Sequence, residues 1–294
     1  MQLVRFRSKR EGEAATGLHA DGFVHALQSR YPTIAAFLAA FPDGWSADAV
    51  DLQGLPVHRL DDVELLAPVD EASAVWLVGA NYRKHAEEAG LDVPEIPVIF
   101  SKPATALVGT GQPIRLPAIS TQMDYEGELA VVIGRHAAKV AKADAPRYVA
   151  GYTVLNDVTA RDLQWVQLGK HRIVDWFSSK CLDASTPVGP WIVPAATAGD
   201  PHGLRLTTAL NGELMQDADT SLMVFSAWDL IEFISARVTL RPGDVISTGT
   251  PFGVGGFRKI FLKDGDTLRV EVANVGVLQN RVAGMAPTPA GTAA

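Results

Sequence analysis

The chain has one cysteine, Cys181, in 294 residues. An internal disulfide framework is therefore impossible, and a zinc site built from several cysteines is excluded. A reducing cytoplasm fits that usage. Basic residues are outnumbered, 26 against 33 acidic, and are scattered through a chain of net charge −7. A nucleic-acid-binding protein would carry a basic stripe, and none is present. An acidic chain also has no general attraction for an anionic substrate, which would need a bound cation or a placed Lys or Arg. The first residues, MQLVRFRSKREGE, contain no apolar stretch of the kind a secretory signal requires. No uninterrupted apolar run reaches the length of a membrane span, and no internal repeat is visible. With 47% hydrophobic residues and a mean hydropathy of +0.10, the chain has an ordinary globular composition.

Residues 1–68 read as a small N-terminal α/β module, and residues 69–294 as the main domain. In the first part LVRFR has strand character. Phe23 to Leu27 and Thr33 to Phe41 carry helix-like apolar spacing, the second stopped by Pro42 and Gly44. From Val75 onward short β-rich runs alternate closely with Gly, Pro, Asn and Asp. The predicted class is α+β, dominated by strands in a sandwich or barrel. LNGEL predicts a tight hairpin, because Asn-Gly accepts positive φ. Helices are expected at Tyr82 to Ala89, Ala145 to Val149 and Ser226 to Ser235, the last opened by a Ser226/Asp229 capping pattern. The tail APTPAGTAA has the composition of a frayed end.

MDYEGELAVVIG is the most informative stretch. Glu126 and Glu128 are two apart at the start of an apolar strand, so both project to one face. Taken alone, such a pair is more simply an exposed strand end. If it is buried, the two like charges repel unless a cation lies between them. VLNDVTARDLQ adds Asp157 where a second apolar run ends, followed by Thr159, Arg161, Asp162 and Gln164. Asp157 alone reads equally well as a helix cap. As a third carboxylate it would complete an all-oxygen set suited to Mg²⁺ or Mn²⁺. A redox-active two-histidine, one-carboxylate site has no matching pattern.

The segments VGANYRKHAEEAG, FSKPATALVG, MDYEGELAVVIG, LNDVTARDLQ, SKCLDASTPVGPWIV, LNGELMQDADTSLMVFS and RPGDVISTGTPFGVG occur in that order. Together they resemble the fumarylacetoacetate hydrolase superfamily over most of residues 75–282. The resemblance implies a mixed β-sandwich roll behind a smaller N-terminal domain, assembled as a homodimer. It implies metal ligation by Glu126, Glu128 and Asp157, with one Mg²⁺ or Mn²⁺ per subunit and no organic cofactor. Lys180 falls on a lysine facing the substrate, and Gln164, Thr250 and Tyr82 on substrate-contacting positions. His85 and Glu88 fall on a His–Glu pair carried by a segment that orders over the substrate.

Hydrolytic cleavage of a carbon–carbon bond in an acylpyruvate-like 2-oxo acid is the leading expectation. The cation would hold the 2-oxo acid, Lys180 would help stabilise the enolate, and His85, oriented by Glu88, would activate water. The same site suits an oxaloacetate-type decarboxylase or a 2-oxo/enol acid isomerase (tautomerase); a non-catalytic metabolite-binding member is the remaining alternative. Asp183 is read as a partner for Arg161. Trp176 and Phe177 are read as pocket-lining, Cys181 as a buried hydrophobe, and His136, His171 and His202 as structural or surface residues. Ala80 stands where some members carry an arginine able to meet a second carboxylate, which weakens the case for a dicarboxylate substrate such as fumarylpyruvate.

Overall fold

The apolar run that follows Glu128 forms the centre of the molecule. Gly127–Ile133 is a strand buried along its whole length. It lies between Val149–Asn156 and Val245–Ser247, antiparallel to both. Alternate side chains enter two different cores. Leu129, Val131 and Ile133 join one, while Ala130 and Val132 join the other. A strand with core on both faces needs a continuous apolar run rather than an alternating one, and LAVVI supplies it. The computed structural model describes residues 1–10, 12–46 and 49–284, so the predicted frayed tail lies outside the described residues.

The central strand belongs to a twelve-stranded mixed sheet. Beyond Val245–Ser247 the sheet continues through Val75–Gly79 to Val98–Lys102. On its other side Val149–Asn156 pairs with Thr186–Pro194, which takes Gln2–Ser8 through Leu3↔Ile192. A five-stranded sheet, including Arg205–Leu210, Thr267–Val272 and Gly276–Ala283, packs Leu206, Val270, Val272 and Leu278 into the first core. This gives the face-to-face sandwich that the strand pattern predicts. The second core is closed by residues of the N-terminal segment, among them Leu3, Leu18, Ile34, Phe37 and Leu38. Hydrogen bonding and packing both run across position 68.

Local chemistry explains the elements. Thr33 caps the helix Ile34–Ala40 by accepting from the Ala36 N–H at 3.0 Å. Asp70 accepts from the Ile34 and Ala35 N–H groups at 3.1 and 2.8 Å, so most of the first turn is satisfied. Ser226 and Asp229 form the expected capping box on the helix Ala227–Ser235. Asn211 and Gly212, with φ of 52° and 86°, close the hairpin between Arg205–Leu210 and Glu213–Asp219. The stretch predicted as helix at Ala145 to Val149 is a 3₁₀ segment, Lys142–Tyr148.

Phe23 to Leu27 is a correction. Phe23–Ala26 is a strand, joined to Ala14–Ala20 by a two-residue turn at Asp21-Gly22 with φ of 50° and 80°. The Asp-Gly pair imposes a hairpin there, and five residues of apolar spacing cannot outweigh it. Among the described residues no helix is long and apolar enough to cross a membrane.

Candidate active site

The pairing of the two central strands brings the carboxylates together. Gly127↔Asn156 and Glu128↔Leu155 are in register, and the ladder is extended by the Asp157 N–H donating to the Glu126 carbonyl at 2.8 Å. Asn156 Oδ1 fixes Glu126 from the other side by accepting its backbone N–H at 2.9 Å. Glu126, Glu128 and Asp157 are 5%, 1% and 1% exposed, which removes the exposed-strand-end reading. One oxygen from each lies within 4.8 Å of the others.

Three cations surround this cluster. Lys180 Nζ is 2.7 Å from Glu126 Oε2 and 2.5 Å from Asp157 Oδ2. Lys102 Nζ is 2.6 Å from Asp157 Oδ1. Arg161 reaches Glu126 Oε1 at 2.6 Å and Asp124 Oδ2 at 2.8 Å. Burial raises the carboxyl of Glu126, but Lys180 and then Arg161 outweigh it and hold the group below the usual range. Burial lowers the ammonium of Lys180, and the carboxylates of Asp157 and Glu126 more than restore it. Glu128 is different. It accepts only from neutral donors, the Ser247 hydroxyl and the Gly249 N–H. Burial, with Asp157 and Glu126 adding repulsion, pushes its carboxyl well above the ordinary value.

The cluster therefore fits a divalent cation on its own chemistry. Asp124, Glu126, Glu128 and Asp157 face only Lys102, Arg161 and Lys180, and the oxygen set is hard, compact and dry. Among the described residues Glu128 is a buried carboxylate with no cation within 4.0 Å.

A cavity of about 440 Å³ opens beside the cluster. Glu126, Arg161, Lys180, Gln164, Thr250 and His85 line it. Thr250 Oγ donates to the Gly127 carbonyl at 3.0 Å and accepts from Gln216 Nε2 at 2.9 Å, which ties this wall to the strand bearing Glu128. Phe100 and Trp176 stack at 4.4 Å, nearly parallel, as an apolar wall. His85 and Glu88 share the short helix Arg83–Glu88, with Nδ1 3.9 Å from Oε2. Burial raises the Glu88 carboxyl, and the His85 ring and the Gly253 N–H outweigh that effect, leaving it below the ordinary value.

Tyr82 is 2% exposed and sits at the N-cap of the His85 helix. Two expectations are corrected. Phe177 points outward at 76% exposure because the helix Trp176–Lys180 turns its neighbour Trp176 inward. Asp183 is exposed, and Arg161 pairs with Asp124 and Glu126 instead. Cys181 is half-buried, with its thiol pushed up by burial, which suits a packing role. Lys102 is the residue that sequence reasoning missed. The available signal was parity: it shares the buried side of Val98–Lys102 with Phe100.

A family model, fumarylacetoacetate (FAA) hydrolase C-terminal, matches residues 74–283. The chain belongs to this family. It is 41% identical over 292 residues to oxaloacetate tautomerase FAHD2B, mitochondrial, of Bos taurus, covering 96% of this chain and 91% of that one. Among solved structures it resembles 5-carboxymethyl-2-hydroxymuconate delta-isomerase from Mycobacterium smegmatis, with 37% identity and a TM-score of 0.76 over 97% and 100% of the two chains. It also resembles maleylpyruvate hydrolase from Sphingobium sp. SYK-6 in complex with manganese (II) ion and pyruvate, with 29% identity and a TM-score of 0.79 over 97% and 100%. The β-dominated fold is the family's. The chain is a member of an enzyme family whose named reactions include tautomerisation, isomerisation and hydrolysis.

Proposed function

We propose that this family member is a divalent-metal-dependent 2-oxo/enol acid isomerase, a tautomerase of the oxaloacetate type. The observation that carries this reading is the near full-length similarity to a named oxaloacetate tautomerase. Carbon–carbon bond hydrolysis, the leading expectation from His85 and Glu88, becomes the second reading. It is supported by the likeness to maleylpyruvate hydrolase.

Tautomerisation moves one proton between C3 and the C2 oxygen of the acid and breaks no bond between heavy atoms. A cation held by Glu126, Glu128 and Asp157, Mg²⁺ or Mn²⁺, would chelate the carboxylate and 2-oxo oxygens and take up enolate charge. Lys180 places an ammonium on the same side of the cavity, where negative charge develops. His85 holds the proton that leaves or joins C3, and Glu88 orients its ring. Gln164 and Thr250 position the acid from the wall. Arg161 keeps Glu126 ionised and aligned. The expected homodimer belongs to this reading as well.

The test follows the ultraviolet absorbance of enol-oxaloacetate as purified protein is added. Mg²⁺- or Mn²⁺-loaded protein should speed conversion to the keto form, chelator should abolish the effect, and added metal should restore it. Full activity in metal-free protein would overturn the metal site. Hydrolysis of acylpyruvates without any change in enol decay would replace the leading reading by the second.

A further inference from the structure

Three permanent cations line the cavity: Arg161, Lys180 and Arg172. The first two are held by protein carboxylates. Arg172 is not. Among the described residues no carboxylate lies within 4.0 Å of its guanidinium, which lies over the Trp165 ring, 4.6 Å from its centroid.

The local fold explains how it is presented. Trp165–Leu168 and His171–Val174 form a separate two-stranded hairpin with Trp165↔Val174 and Gln167↔Arg172 in register. Arg172 therefore shares a face with Trp165 and Val174, and all three line the cavity. Val166 and Ile173 occupy the opposite face and are 40% and 48% exposed. Lying over the indole restrains the guanidinium while leaving its N–H edge free.

Arg172 is exposed, lacks a protein carboxylate partner among the described residues and stands in the wall of the proposed 2-oxo acid cavity, so its guanidinium is available to a ligand of matching charge. The guanidinium fork fits a carboxylate through two parallel hydrogen bonds. A chain of net charge −7 gives a dianion no long-range attraction, so a second carboxylate away from the cluster needs a local cation. Ala80, also in the wall, brings no charge from its side. We infer that Arg172 is a specificity-determining residue that binds the second carboxylate of a dicarboxylic 2-oxo acid. This inference rests on the proposed 2-oxo acid site.

The test uses two non-substrate probes of equal chain length, 2-oxoglutarate and 2-oxopentanoate, titrated calorimetrically into Mg²⁺-loaded protein. Wild type should bind 2-oxoglutarate about 10- to 100-fold more tightly, the worth of one charge-assisted contact. Arg172→Met should erase that preference and leave 2-oxopentanoate affinity unchanged. Arg172→Lys should retain part of it. The inference is overturned if wild type shows no preference, or if Arg172→Met keeps it. If wild type binds neither probe, the 2-oxo acid reading itself fails and the inference falls with it. A preference that survives without tautomerase activity would sustain Arg172 while removing the proposed reaction.

Discussion

Glu88 shows how a single residue can be followed through pH. Its folded carboxyl lies below the ordinary value of 4.5, because the His85 ring and the Gly253 N–H outweigh burial. A lowered acid stabilises the fold above its unfolded value, and that contribution is lost as pH falls through the folded one. Wild type should therefore exceed Glu88→Gln in urea midpoint at neutral pH, and the gap should narrow at an acidic pH below 4.5. An equal gap at both values would assign Glu88 a purely steric role. Residues of this kind were legible where type and parity agreed. Glu126 and Glu128 at i and i+2, Asp157 at a strand end and Lys180 in its motif all converge on one cluster. Lys102 was legible only through its parity with Phe100, since a buried lysine otherwise looks like a surface one until its partner Asp157 is known. The burial of Tyr82 was not legible, because its motif neighbourhood says nothing about which way its ring faces.

At the scale of elements, the cluster depends on how closely two sheets approach. A Cβ added at Gly127 would collide with the Thr208 hydroxyl and lie 2.9 Å from Val270 Cγ1. Both neighbours belong to the opposing five-stranded sheet. Gly127→Ala should destabilise the protein by about 1–3 kcal/mol, the usual cost of overpacking. It should also weaken metal binding, because Gly127 separates two of the carboxylates. Chemical denaturation paired with a metal titration checks both, and unchanged affinity would show that the ligands do not need this spacing. Elements with strong local chemistry were readable, as the Ser226 capping box and the Asn211-Gly212 turn show. Phe23 to Leu27 was misread because five residues satisfy a period of 3.6 or 2 almost equally, and only the Asp21-Gly22 turn decides.

For the whole molecule, what the sequence hides is long-range pairing. Leu3↔Ile192 joins the first strand to the main sheet, and Leu3, Leu18 and Leu38 share a core with Leu77, Val188 and Val245. No local pattern announces a contact between such distant residues. A fragment of residues 69–294 should expose that core and aggregate rather than fold; a soluble, cooperatively melting fragment would show that the main domain closes alone. The strand Gly127–Ile133, core on both faces, has a further consequence. Its amides open to solvent only when the whole fold does, whereas the six-residue helix bearing His85 lacks a side-chain cap and frays at small cost. Glu128 thus stands on a strand enclosed on both faces, with Glu126 and Asp157 at the ends of the central pair, and the proposed proton carrier on a short helix without a side-chain cap. Retaining a cation and exchanging a substrate can then proceed on separate clocks.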